Sequence, residues 1–81
     1  MRLMICSIFD AKVGVYSPPM LYKTKGEAIR AFTDAVNDPQ LPFKRHPEDY
    51  RLFYMGDWED TTGELLSPRT PEPLIGAAEV G

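Results

Sequence analysis

The distribution of apolar and polar residues predicts a hairpin at the start of the chain. Residues 2–9 are almost continuously apolar, which is typical of a buried β-strand. Residues 10–14 predict a turn, because Gly14 can adopt a positive φ. Residues 15–16 then begin a second strand that pairs with the first. The prolines at 18 and 19 end this strand or place it at an edge, since proline cannot donate a ladder hydrogen bond.

A helix is predicted over residues 25–37. Thr24 and Glu27 have the spacing of a capping box, with Thr24 as the N-cap and Glu27 as the third helical residue. Pro39 ends the helix, because proline disfavours the helical conformation of the residue before it. Apolar residues recur every three or four positions and therefore form one stripe that faces a core: Ala28, Ile29, Phe32, Ala35 and Val36.

The second half of the chain predicts two more strands and a tail. Residues 40–47 form a loop, and residues 50–59 form the longest strand, in which Leu52 and Tyr54 alternate with Arg51, Phe53 and Met55. After a turn at 60–63, residues 64–66 form a short returning strand. Residues 67–81 contain three prolines and predict an acidic arm that is extended or mobile.

These elements predict an α+β fold, with the order β-β-α-β-β forming a small antiparallel sheet and one helix packed on one face. Residues 1–66 would be a single domain, followed by the Pro-rich tail. An 81-residue chain has a thin core, and its one cysteine cannot form an internal disulfide. Both faces of the sheet carry aromatic residues and one helix cannot cover both, so we expect a homo-oligomer, a dimer or larger.

The formal net charge is −3, which argues against simple binding of a polyanion. The charge is uneven, because residues 1–56 have a balance of +2 and residues 57–81 a balance of −5. The apolar start is too short for a signal peptide, and no segment approaches the roughly 20 apolar residues of a membrane span. We therefore expect a soluble intracellular protein with no membrane contact.

Catalytic and metal-binding patterns are weak. His46, the only histidine, has carboxylates beside it but no recognisable nucleophile. Asp57, Glu59 and Asp60 lack the glycine and glutamate placement of an EF-hand. The glycines are scattered singly, so no phosphate-binding loop is formed. We predict no catalytic residue, no metal and no cofactor.

Nucleic-acid binding is the more substantial prediction, because single strands are bound by positive grooves with aromatic platforms. Cations occur at the first hairpin, at the predicted helix start and in the loop before residue 47. In the competing interpretation, the tyrosines belong to the core or an interface and the lysines are ordinary surface residues. The predicted contact residues are Lys12, Tyr16, Lys23, Lys25, Arg30, Lys44 and Arg45.

Two strings in the chain are distinctive: residues 31–38, and residues 46–50 followed by Leu52 and Phe53. Together with residues 3–6 and 9–16, they resemble the small nonstructural protein of gokushovirus-type microviruses, which are single-stranded DNA phages. The resemblance covers most of residues 1–63, and the tail after Ser67 has no clear counterpart. It implies a nonstructural phage protein labelled DNA-binding, analogous to the phiX-type protein that switches replication to single-stranded genome synthesis. It assigns no catalytic residues.

Two hypotheses follow. In the first, the protein acts in the host cytoplasm and assists viral single-stranded DNA replication or genome packaging by binding single-stranded DNA. In the second, it is a protein–protein adaptor without nucleic-acid affinity, and it contacts the phage replication initiator, the procapsid or a host factor. An enzyme is not predicted.

Overall fold

The structure is a computed structural model that describes residues 1–80; Gly81, the last residue of the predicted tail, lies outside them. One helix and six strands are present in the described residues, together with 3-10 helices at Pro47–Asp49 and Ala77–Glu79. In chain order, the strands and the helix are β1 Arg2–Asp10, β2 Val15–Tyr16, β3 Met20–Tyr22, α1 Lys25–Val36, β4 Tyr50–Glu59, β5 Glu64–Leu66 and β6 Glu72–Gly76.

Two long antiparallel strands, β1 and β4, form the centre of the sheet, with paired residues from Arg2↔Glu59 to Asp10↔Tyr50. Each outer edge of this pair is shared by two short strands. β2 and β3 both pair with β1, and β5 and β6 both pair with β4. The predicted combination of one helix with an antiparallel sheet is confirmed. The predicted order β-β-α-β-β is not, because β3 and β6 are additional strands.

A bulge in β4 bends the central pair. Ile5 pairs with Gly56 and Cys6 pairs with Tyr54, so Met55 is the extra residue on β4. Gly56 has φ 140°, and a Cβ at this position would overlap with the carbonyl oxygen of Leu66. Only glycine fits here, because β5 and the segment after it pass directly over the backbone of β4.

The helix packs on one face of the sheet, as predicted. Its N-cap is confirmed, since the side chain of Thr24 accepts a hydrogen bond from the backbone N–H of Glu27 at 3.1 Å. The apolar stripe of α1 faces β1 and β4 and forms the core with them. The buried apolar residues are Cys6, Ala28, Phe32, Val36, Leu52 and Ala77.

The extended or mobile tail predicted at 67–81 is not confirmed for residues 72–80. β6 pairs with residues 51–54 of β4, Ala77 is only 2% exposed, and Val80 packs against the core. Pro73 is tolerated because β6 is an outer strand, where one side of the backbone needs no ladder partner. The domain therefore continues through the C-terminal segment, and the predicted boundary at residue 66 does not separate the core from a free arm.

Candidate nucleic-acid interface

The sheet has an open face opposite the helix. Alternate residues of a strand point to the same side, so Leu3, Ile5, Ser7 and Phe9 of β1 lie on this face. Ser7 is buried, and its hydroxyl donates to the carbonyl oxygen of Ser17 at 2.7 Å. The residues that pair with β1, together with Leu65 opposite Trp58, extend the open face: Tyr16, Leu21, Arg51, Phe53, Trp58 and Leu65.

Three aromatic rings form a cluster on one side of Ser7, which we call the aromatic end: Phe9, Tyr16 and Phe53. The ring centroids of Phe9 and Tyr16 lie 4.7 Å apart, and those of Tyr16 and Phe53 lie 5.6 Å apart with an edge-on geometry. Tyr16 remains 41% exposed in this cluster. A rigid and accessible ring of this kind is suited to stack against a nucleobase.

Two cations flank the aromatic end. Arg51 pairs with Phe9 across the sheet, but its guanidinium lies 3.1 Å from a carboxylate oxygen of Glu79. Lys12 is exposed in the turn between β1 and β2, where its backbone N–H donates to Asp10 at 3.0 Å. The ion pairs in residues 1–80 involve the N-terminal amine, Arg2 and Arg51, so Lys12 is not part of an ion pair there.

Carboxylates approach the same end of the molecule. Lys12 lines a cavity of about 410 Å³ with Asp10, His46, Glu48 and Asp49. Burial raises the pKa of Tyr50, the charges of Asp10 and Asp49 raise it further, and Arg45 acts in the opposite direction. Arg45 directly precedes His46, which lines this cavity, so it lies at the same end of the molecule. The positive potential of Lys12 and Arg45 is reduced by the neighbouring acids.

The turn before β4 brings together three side chains of the types that ligate metal ions. His46, Glu48 and Asp49 each place one ligand atom within 4.8 Å of the others. His46 and Glu48 are exposed and Asp49 is partly exposed, and exposed acidic groups are common without an ion. The arrangement by itself assigns no metal.

The remaining predicted contact residues lie elsewhere. Lys23 and Lys25 flank the N-cap of α1 and follow β3, which pairs with Met4–Cys6 rather than with the Phe9 end of β1. Arg30 is exposed on the helix, and Lys44 lines a groove with Val36, Ala77 and Val80. The structure thus brings Lys12, Tyr16 and Arg45 to one end of the molecule. It does not bring the seven residues onto one surface.

Phe9, Phe53 and Arg51 were missing from the predicted contact set. The alternation in β4 already placed Arg51 and Phe53 on the face opposite Leu52, so that signal was available. Phe9 lies in a continuous apolar run, so the sequence pattern does not show which face of the sheet its side chain occupies.

A second apolar surface lies on the other side of Ser7. Ile5, Pro19, Leu21, Trp58 and Leu65 line a shallow groove, which we call the apolar patch. Leu21 is 48% exposed and Leu65 is 68% exposed. The sheet therefore presents aromatic rings with nearby cations at one end of its open face and uncharged apolar groups at the other.

None of the helices in residues 1–80 has the length and apolar character needed to cross a membrane.

Searches of the curated proteins and of the solved structures found no match. The sequence model of the family described as Phage ORF5 protein matches residues 3–80, which includes every strand from β2 to β6 and nearly all of β1. This match covers almost the whole chain, and the protein belongs to the Phage ORF5 protein family.

Proposed function

We propose that this phage protein is a nonstructural protein of the gokushovirus type that binds single-stranded DNA and assists genome replication or packaging in the host cytoplasm. The observation that carries the proposal is the aromatic end, where Tyr16 is exposed on an open sheet face. Sheet faces with accessible aromatic rings are a recurrent way of binding unpaired bases.

The geometry favours single strands over duplex DNA. A base can stack on Tyr16 only when it is unpaired and turned out of its helix. Lys12 lies in the turn that joins the strands of Phe9 and Tyr16, where it can contact a phosphate next to the stacked base. Arg51 can contact a second phosphate only by exchanging its ion pair with Glu79 for it. The family membership supports a phage role, and the resemblance of residues 31–38 and 46–50 supports the single-stranded DNA branch.

The charges set the strength of this interaction. The chain carries −3 overall, and Glu48 and Asp49 lie close to Lys12. Binding by one copy is therefore weak, and it depends on two or three phosphate contacts rather than on a broad positive surface. For single strands, each phosphate contact contributes about 0.7 to the slope of log affinity against log salt.

The alternative is an adaptor that contacts the replication initiator, the procapsid or a host factor without binding nucleic acid. The exposed apolar patch favours this function, because contiguous exposed apolar surfaces mark protein contacts. Both functions are compatible with membership of the family.

Fluorescence anisotropy with labelled single-stranded and duplex oligonucleotides of the same sequence separates the two functions. The proposal expects binding to the single strand at low salt, weaker binding to the duplex, and a fall in affinity as salt is raised. Absence of binding at low salt, where charge attraction is greatest, rejects the DNA-binding function and leaves the adaptor.

A further inference from the structure

We propose that the apolar patch is the docking site for a second copy of this chain, in a weak dimer related by two-fold symmetry. This inference goes beyond the proposed function, because it concerns the end of the open face that carries no cation. It does not depend on whether the protein binds DNA.

The first argument is the placement of the patch. Ile5 pairs with Leu21, and Trp58 pairs with Leu65, so the four side chains lie side by side across four strands. They point away from α1; Leu21 and Leu65 are exposed, and Ile5 and Trp58 are half-buried. Leu65 is 68% exposed although it sits in the middle of a paired strand. Such an arrangement has the composition of an interface core rather than of ordinary surface.

The second argument is charge. Each copy carries a net charge of −3, so two copies repel one another wherever their acidic surfaces meet. The residues that line the patch have no charged side chain. The carboxylates that approach the open face, Glu48, Asp49 and Glu79, lie at the aromatic end. The patch is the surface on which two like-charged copies can approach without bringing carboxylates together. A symmetric contact sets each patch against its own equivalent.

The third argument excludes two other occupants. The C-terminal segment is already used, because Ala77 and Val80 pack on the helix side of the sheet. A nucleic-acid strand needs cations beside its stacked bases, and the patch offers neither lysine nor arginine. An uncharged apolar protein surface remains as the occupant, and a second copy of the patch supplies one. A different protein partner is the outcome that remains if the chain does not self-associate.

The area of the patch predicts the strength of the dimer. Four strands at about 4.8 Å spacing and about five residues at 3.3 Å rise give on the order of 300 Å² per copy. Stable interfaces use about 800 Å² per partner, and smaller ones are weak and transient. The dimer is therefore weak and transient, and it forms only at high protein concentration.

Sedimentation equilibrium of the full chain without DNA tests this proposal over protein concentrations from about 10 µM to about 1 mM. Trp58 is the only tryptophan and lines the patch, so its emission reports on this contact. The informative variant is Leu65→Glu, which introduces a charge at a side chain whose exposure makes a folding defect small. Val13→Glu is the matched control, because Val13 is also 68% exposed but lies in the β1–β2 turn.

The proposal expects the average mass of the wild type and of Val13→Glu to rise towards that of a dimer, with a blue shift of Trp58 emission. It expects Leu65→Glu to weaken association by at least about tenfold. A wild type that stays monomeric throughout overturns the proposal. So does association that Leu65→Glu leaves unchanged, or a shift of Trp58 emission that single-stranded DNA causes and protein concentration does not.

Discussion

Phe9 and Tyr16 pair across β1 and β2, and the centroids of their rings lie 4.7 Å apart. One side of Tyr16 is held by Phe9 and Phe53, while 41% of the residue faces solvent. The ring is therefore ordered before any ligand arrives, which reduces the entropy lost when a base stacks on it.

Replacing Tyr16 with alanine is expected to weaken binding of single-stranded DNA by about tenfold, because one stacked base contributes roughly 1–3 kcal/mol. Tyr16→Phe keeps the ring and should bind within about twofold of the wild type. Anisotropy titrations at fixed low salt measure both variants. An equal loss of DNA affinity in the two variants would show that the Tyr16 hydroxyl, rather than stacking of its ring, makes the contact with the DNA.

Lys12→Ala is expected to lower affinity and to reduce the slope of log affinity against log salt by about 0.7, the value for one phosphate contact on a single strand. Lys23→Ala is the matched control, because Lys23 is also exposed but precedes the helix at the other end of β1. Titrations at four salt concentrations give the slopes. If Lys23→Ala reduces the slope as much as Lys12→Ala, the binding surface extends to the helix start.

Gly56→Ala is expected to destabilise the fold by about 3 kcal/mol, because φ at this residue is 140° and the added Cβ overlaps with the backbone after β5. Gly63→Ala is the control: its φ is 78°, and an added Cβ meets no atom within 4 Å. Only backbone strain remains there, about 1 kcal/mol. Urea unfolding followed by Trp58 fluorescence gives both values, and similar values would contradict the tight crossing at Gly56.

The thiol of Cys6 is expected to react with a disulfide reagent only after the protein unfolds. Cys6 is 0% exposed, and burial, then the charge of Asp57, raises the pKa of its thiol. The thiolate is the reactive form, so both effects suppress reaction in the folded state at pH 8. Reaction rates with and without urea measure this. A fast reaction without urea would show that the strands around Cys6 open locally.

The sequence predicted the elements whose signals are local. The N-cap at Thr24, the apolar stripe of α1 and the alternation of β4 each lie within one segment, and all are present in the structure. Of the predicted capping box, the structure shows the bond that Thr24 accepts from the backbone of Glu27. β3 and β6 were missed as strands because their pairing partners, Met4–Cys6 and residues 51–54, are distant in the chain. Prolines at 71 and 73 also made the last segment resemble a free arm.

The candidate contact residues show the same limit. Lys12 and Arg45 lie 33 positions apart in the chain, and they come to the same end of the molecule because Tyr50 pairs with Asp10. Lys23 and Lys25 are also lysines near aromatic residues in the sequence, but they follow β3, which pairs with Met4–Cys6 at the opposite end of β1. Strand register thus decides which charged side chains become neighbours, and the composition of the chain does not reveal that register.

The pairing of Arg2 with Glu59 has a consequence for how the protein is made. β1 is synthesised before the helix and the loop, and its main partner β4 follows only after them. Until then β1 has just the short strands β2 and β3 to pair with, and its apolar residues stay accessible. Contacts of such long sequence separation form slowly, so the sheet is expected to form only after β4 has left the ribosome.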